Sequence, residues 1–238
     1  MSWSPDDVAA AAERFAGGLA DADPAAVVPA CPGWTVLDLV AHLGNVHTWA
    51  AAIVTSGGPV EEPVQQPGEV PLDAWYAARA SHLFGVLTAS DPDAPCWNFA
   101  GVDETAGFWR RRQLLEVLMH LVDLDQAHGR DTSLEPTVCA DGVSETVEVF
   151  GSRLHARGFP ADLAAPVSLV AIDTGHTWTL SPGTSGPPLL SEGGALSVHR
   201  LTGTAEQLWL RLWNRGVEGV VSGDAGVVDR LLASRLSP

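Results

Sequence analysis

The chain has 238 residues, with 46% hydrophobic against 18% charged residues and a formal net charge of −16. That composition describes a folded globular protein with enough chain for one large core or two modest ones. The acidic balance argues against a nucleic-acid partner, which needs a basic footprint to displace counterions from phosphates. All thirteen basic residues are arginine, so Schiff-base and lysine general-base chemistry are excluded.

Cys31, Cys96 and Cys139 are odd in number, widely spaced and free of any CxxC pattern. They suggest neither a disulfide framework nor a zinc knuckle, and each reads as a small buried filler. No charged leader opens the chain and no apolar run reaches the length of a membrane span. A cytoplasmic protein without a membrane partner, monomeric or homodimeric, is expected.

In chain order, Ser4-Pro5-Asp6-Asp7 supplies an N-cap, a proline at the first helical position and an acid at the third, ahead of an Ala-rich amphipathic run. A first helix over residues 4–20 follows. Thr35-Val36-Leu37-Asp38 is a capping box, and it starts a second helix near Val36 that runs to about Thr55. Leu39, His42, Val46 and Trp49 fall on one stripe of that helix. A histidine there either satisfies a core hydrogen bond or serves as a ligand. His47 points about 140° away from His42 and is expected to be exposed or to stand behind the site. Gly57 to Pro71 is a Pro/Gly/Glu/Gln-rich loop long enough to lie over a site mouth. Leu72 to Ala89 make a third helix.

The central stretch is Gly107 to Gly129. As a helix it stacks Glu116 and His120 one turn apart on a face that continues through Asp123 and Ala127, with Leu114, Leu118, Leu121 and Leu124 on the adjoining arc. An ionised carboxylate aimed into such an interior is costly unless it meets a cation, a donor or a metal. Val138 to Arg157 form a further helix. Composition then turns β-rich at 165–172, 176–181 and 195–201, with 182–194 as a linker, before two helices at 204–213 and 225–234. The fold class is therefore α+β, with a helical domain over 1–158 and a small α/β domain over 159–238.

Pro32-Gly33-Trp34-Thr35-Val36 with Asp38-Leu39-Val40-Ala41-His42-Leu43 resembles the helix-two signature of the mycothiol-dependent maleylpyruvate isomerase family. Phe108-Trp109-Arg110-Arg111-Arg112 with Glu116 and His120 resembles its second signature, and Val221 to Leu231 the end of its small C-terminal domain. The resemblance implies a DinB-like four-helix bundle that holds a divalent metal, usually zinc, through His42, Glu116 and His120. It also implies a thiol cofactor, mycothiol or a similar low-molecular-weight thiol, and a small electrophilic substrate. The pattern departs from the family at Leu115 and Val122, where a histidine and an aromatic residue are common.

Three protein ligands leave one position open, as in catalytic zinc sites. A metal-bound thiol is deprotonated near neutral pH and attacks electrophiles, which serves an isomerase and an S-transferase equally. Arg110, Arg111 and Arg112, with Arg215 as an alternative from the second domain, are candidate anion anchors for a carboxylate of substrate or cofactor; the other reading is that Arg112 lies one turn before Glu116 and the three only answer the acidic surface. His176 and His199 read as ordinary sheet residues. No Gly-x-Ser-x-Gly elbow supports a serine hydrolase. Two other readings stay open: a non-catalytic metal- or ligand-binding bundle, and a two-His-one-carboxylate iron site.

Overall fold

The computed structural model describes residues 3–159, 161–183, 186–216, 218–234 and 236–237. Two compact units divide it, Met1–Ser133 and Leu134–Pro238.

The first unit consists of α1 (Pro5–Gly18), α2 (Val36–Ser56), α3 (Leu72–Ala89) and α4 (Ala106–Ala127). The two predicted capping boxes form. Asp7 answers Ser4 at the start of α1. At α2 the Thr35 N–H and hydroxyl donate to Asp38 Oδ2 at 2.9 and 2.7 Å, and the Asp38 N–H donates back to Thr35 Oγ1 at 3.4 Å. Gly57 then ends α2 with φ 72°, a left-handed conformation that glycine adopts without strain. Each helix packs chiefly on two others, in the cyclic order α1–α4–α2–α3, which is a four-helix bundle.

Along the α2/α4 seam, residue numbers rise on one helix as they fall on the other, so the two run antiparallel. His42 meets Glu116, His47 meets Gln113, and Trp49 meets Trp109. The seam is thus layered along the helices, with the His42–Glu116 pair at one level, the neutral His47–Gln113 pair at the next, and aromatic rings beyond. The 57–71 loop is tied to α2 and α3 rather than left free. The Trp49 indole N–H donates to Val60 O at 2.9 Å, Asn45 Nδ2 donates to Gln65 O at 3.0 Å, and Arg79 donates to Gln65 Oε1 at 2.6 Å.

The second unit begins with α5 (Pro136–Glu145), a π-helical segment Thr146–Gly151 and α6 (Ser152–Ala156), where one continuous helix was predicted. Strands β1 (Val167–Ala171), β2 (Thr177–Ser181), β3 (Leu189–Glu192), β4 (His199–Gly203) and β5 (Val220–Ser222) form one sheet of order β3-β2-β1-β4-β5. Only the central β1–β4 pair is parallel. Helices α7 (Ala205–Leu212) and α8 (Ala225–Ala233) pack on β4. β3 falls inside the predicted 182–194 linker, and β5 was not predicted. Both are edge strands of three or four mostly exposed residues, with no apolar alternation to mark them.

The helical segment 136–156 belongs with the sheet. α5 packs on α7, the Trp178 indole donates to Ser144 Oγ at 2.8 Å, and that of Trp213 donates to Thr146 Oγ1 at 2.8 Å. The expected boundary at 158/159 marks where helix gives way to strand, whereas packing partners change at 133/134. The architecture is α+β, a helical bundle followed by a small α/β unit.

Candidate metal centre

His42 projects from the second turn of α2, while Glu116 and His120 project from successive turns of α4. Glu116 Oε1 lies 3.2 Å from His42 Nε2 and 3.3 Å from His120 Nε2. One ligand atom from each of the three lies within 4.8 Å of the others, close enough for the group to hold a single metal ion after a small closure. Among the described residues this is the one such group of His, Cys, Asp or Glu side chains.

The other oxygen of Glu116, Oε2, takes a hydrogen bond from Arg112, one turn earlier on α4, whose guanidinium is buried. Burial works to raise the Glu116 pKa, but Arg112, then His120 and His42, outweigh it and hold the carboxyl well below the usual carboxylate range. Glu116 is therefore an anion with one oxygen committed to Arg112 and the other facing two imidazoles. For His120, burial works to lower the pKa, but hydrogen bonds to Asp123 and Glu116 raise it to about 9. The His120 Nδ1–H donates to Asp123 Oδ2 at 2.8 Å, and Asp123 is fully buried.

The donor set fits a divalent cation. It offers two imidazole nitrogens and one carboxylate oxygen, gathered at the distance where the carboxylate charge otherwise has only protons to face. The His42 side chain is 31% exposed, so one side of the group reaches solvent. The Trp34 indole stands over both imidazoles, 5.0 Å from the His42 ring centroid and 6.5 Å from that of His120. Its loop is fixed by Gly33 at φ 86°, by the Trp34 N–H donating to Cys31 O at 2.9 Å, and by the Val28 N–H donating to Trp34 O at 3.0 Å.

His47 is not exposed, which was one of the two places expected for it. It is fully buried, with Nδ1–H donating to Gln113 Oε1 at 2.6 Å and Nε2 receiving the Tyr76 hydroxyl at 3.0 Å. Burial keeps the ring neutral and lowers its pKa to about 4. The helix has neighbours on two sides, α3 and α4, so a direction 140° from His42 still points inward.

Of the arginine run, Arg110 donates to Leu87 O and Ser90 O at 2.9 and 2.7 Å and so closes the C-terminal end of α3, while Arg112 serves Glu116. Arg215 lies in the second unit, where it donates to Trp213 O at 2.7 Å and stands 5.5 Å from the centroid of that ring. Cys96 and Cys139 are buried, and Cys31 is partly exposed, with Sγ 3.7 Å from Asp123 Oδ2. Sequence reasoning assigned no role to Trp34 or Asp123. The signal for Asp123 was its place three residues after His120, on the same helical face. No helix among the described residues is long and apolar enough to cross a membrane.

Two uncharacterized proteins of Mycobacterium tuberculosis, MT0763 and Rv0738, are each 29% identical to this chain over 141 residues, covering 55% of it and 69% of their own length. Among solved structures, a crystal structure of the mycothiol-dependent maleylpyruvate isomerase matches with TM-score 0.65 at 14% identity, over 93% of this chain and 92% of that one. A histidine-to-alanine mutant of a mycothiol-dependent maleylpyruvate isomerase matches with TM-score 0.62. At that identity the likeness is one of fold. Residues 6–125 match the family described as Mycothiol maleylpyruvate isomerase N-terminal domain. That match takes in about half of the sequence and encloses all three converging side chains, and by it the chain belongs to the mycothiol maleylpyruvate isomerase family.

Proposed function

We propose that this protein is an enzyme that joins a low-molecular-weight thiol, mycothiol or a close analogue, to an electrophilic small molecule at a divalent metal held by His42, Glu116 and His120. The observation that carries the reading is the convergence of His42 Nε2, Glu116 Oε1 and His120 Nε2 from two helices within 4.8 Å. We take zinc as the metal, because two imidazoles and a carboxylate with one position left for an outside ligand make a catalytic zinc site, and metal analysis of protein purified without added metal separates it from the iron that the same ligands also suit. When bound, such a metal lowers the pKa of a coordinated thiol and supplies a thiolate at neutral pH.

The protein's own part is to hold and orient. Arg112 takes Glu116 Oε2, so the carboxylate presents Oε1 alone, and Arg112 acts on Glu116 rather than on substrate. The partly exposed His42 edge is the route by which thiol and electrophile arrive. Trp34 walls that edge with an apolar face and excludes water from the reacting atoms. Arg215 is the candidate anchor for a carboxylate of substrate or thiol.

In an isomerase the thiol sulfur bonds to one carbon of a conjugated double bond and a proton enters at the other. The new single bond turns, and loss of the same thiol and proton restores the alkene. In an S-transferase the adduct departs instead. The family and the solved relatives favour the isomerase course. Three free cysteines suit a reducing cytoplasm.

A panel of conjugated alkenes and epoxides, assayed with zinc-loaded protein and mycothiol, tests the proposal. Thiol consumption or thiol-dependent isomerisation is expected. Turnover without any thiol refutes the thiol mechanism, and no turnover with any member replaces it with the non-catalytic metal-binding reading.

A further inference from the structure

A carboxylate fully withdrawn from water is expensive, and Asp123 lies in the bundle interior within the last two turns of α4. Its Oδ2 sits 2.8 Å from His120 Nδ1, a contact that an i, i+3 offset on one helix fixes in distance and direction. The same oxygen has the Cys31 thiol at 3.7 Å, so the loop carrying Trp34 is also brought up to it. A carboxylate only accepts hydrogen bonds. Two carboxylates face the ring, and when it is neutral its single hydrogen goes to Nδ1, where Asp123 is the closer acceptor at 2.8 Å, which leaves the lone pair on Nε2, 3.3 Å from Glu116 Oε1.

We propose that Asp123 is a positioning residue of the metal centre: it holds His120 in the Nδ1–H tautomer and locks the ring plane so that Nε2 is available to a metal beside Glu116. The proposal rests on the metal reading above for its purpose, but the tautomer it asserts belongs to the protein alone. The two ligands on α4 are then each held from the same helix, Glu116 by Arg112 one turn before it and His120 by Asp123 one turn after. A single helix prepares two of the three ligand atoms, and docking of α2 brings the third. Carboxylate partners behind metal-bound imidazoles in general raise ligand basicity, and their loss costs tenfold to a hundredfold in metal affinity.

The test uses the full chain with Asp123→Asn and Asp123→Ala. Zinc affinity is measured by competition with a chromophoric chelator. Independently, the His120 tautomer is read from imidazole nitrogen shifts in zinc-free protein at a pH where the ring is neutral. Circular dichroism and melting report the fold. The expected result is a tenfold to hundredfold loss of zinc affinity in both variants, with wild-type His120 as the Nδ1–H tautomer and the alanine variant, which has no oxygen to accept from Nδ1, as a mixture or the opposite form. The asparagine keeps the shape of the aspartate, so it carries the test if the alanine variant fails to fold. Wild-type zinc binding matched within threefold by a folded Asp123→Asn protein overturns the proposal, as does an unchanged tautomer in a folded Asp123→Ala protein. Absence of zinc binding in the wild type overturns the metal reading instead, and the tautomer measurement still decides the role of Asp123. A merely structural carboxylate would lower the melting temperature without moving the tautomer.

Discussion

Zinc-free protein is expected to be most stable near pH 6.5 and to lose stability on both sides, because two buried histidines of the first unit are perturbed in opposite directions. His47 has a folded pKa of about 4 against an ordinary 6.5. The unfolded chain takes up a proton in that interval and the folded one does not, so stability falls as pH drops from 6.5 and the loss is complete below about 4. His120 has a folded pKa of about 9 against 6.5. Its contribution is fully present below 6.5 and is lost as pH rises through 9.

At about 1.4 kcal/mol per pH unit, each limb amounts to about 3 kcal/mol, or about two orders of magnitude in the folding constant. Glu116, whose carboxyl is depressed, adds a further loss below its ordinary 4.5, so the His47 limb is read between pH 6.5 and 4.5. Hydrogen exchange at the α2 and α4 amides, in chelator and corrected for intrinsic exchange, reports the stability of the first unit without requiring one transition for both. His47→Gln should flatten the acid limb and leave the alkaline one. His120→Gln should do the reverse. Zinc should abolish the alkaline limb, since coordination needs a deprotonated Nε2. A profile that is flat or rises steadily from pH 5 to 9, or an acid limb that survives His47→Gln, refutes the reasoning.

His120→Ala is expected to fold but to lose the zinc-dependent rise in melting temperature, which mass action gives only to a folded state that binds the metal; a rise equal to wild type places the metal elsewhere. Arg215→Ala should mainly raise KM with little change in kcat if the residue anchors a carboxylate alike in ground and transition states, whereas a fall in kcat alone contradicts that role. A methyl group at Gly44 would collide with the Trp75 ring, which the Arg79 guanidinium stacks against at 3.5 Å. Gly44→Ala should therefore cost about 1–3 kcal/mol by forcing α2 and α3 apart, and chemical denaturation showing no loss would mean that the seam gives way freely.

Local signals carried much of the helical half. Ser4 with Asp7 and Thr35 with Asp38 mark helix starts that the structure places within a residue or two, because a cap is a contact among four consecutive residues. The offset of Glu116 and His120 already puts both on one face, since a helix has a fixed period. Other features depend on what lies opposite. His47 is 140° from His42 on an isolated helix, yet Tyr76 and Gln113 close over it from two neighbours. Arg112 became a partner of Glu116, where its one-turn offset alone had left an anion-binding role open as well. β3 and β5 escaped detection because an edge strand is defined by hydrogen bonds to the next strand and needs no apolar pattern of its own. The boundary between the units followed the docking of α5 on α7, a contact between segments about sixty residues apart. Convergence of His42 with Glu116 is of the same kind. Periodicity sets the direction of each side chain on its own helix, but the 3.2 Å between them exists only because α2 and α4 run antiparallel in one register, and that register is set by the packing of the whole seam.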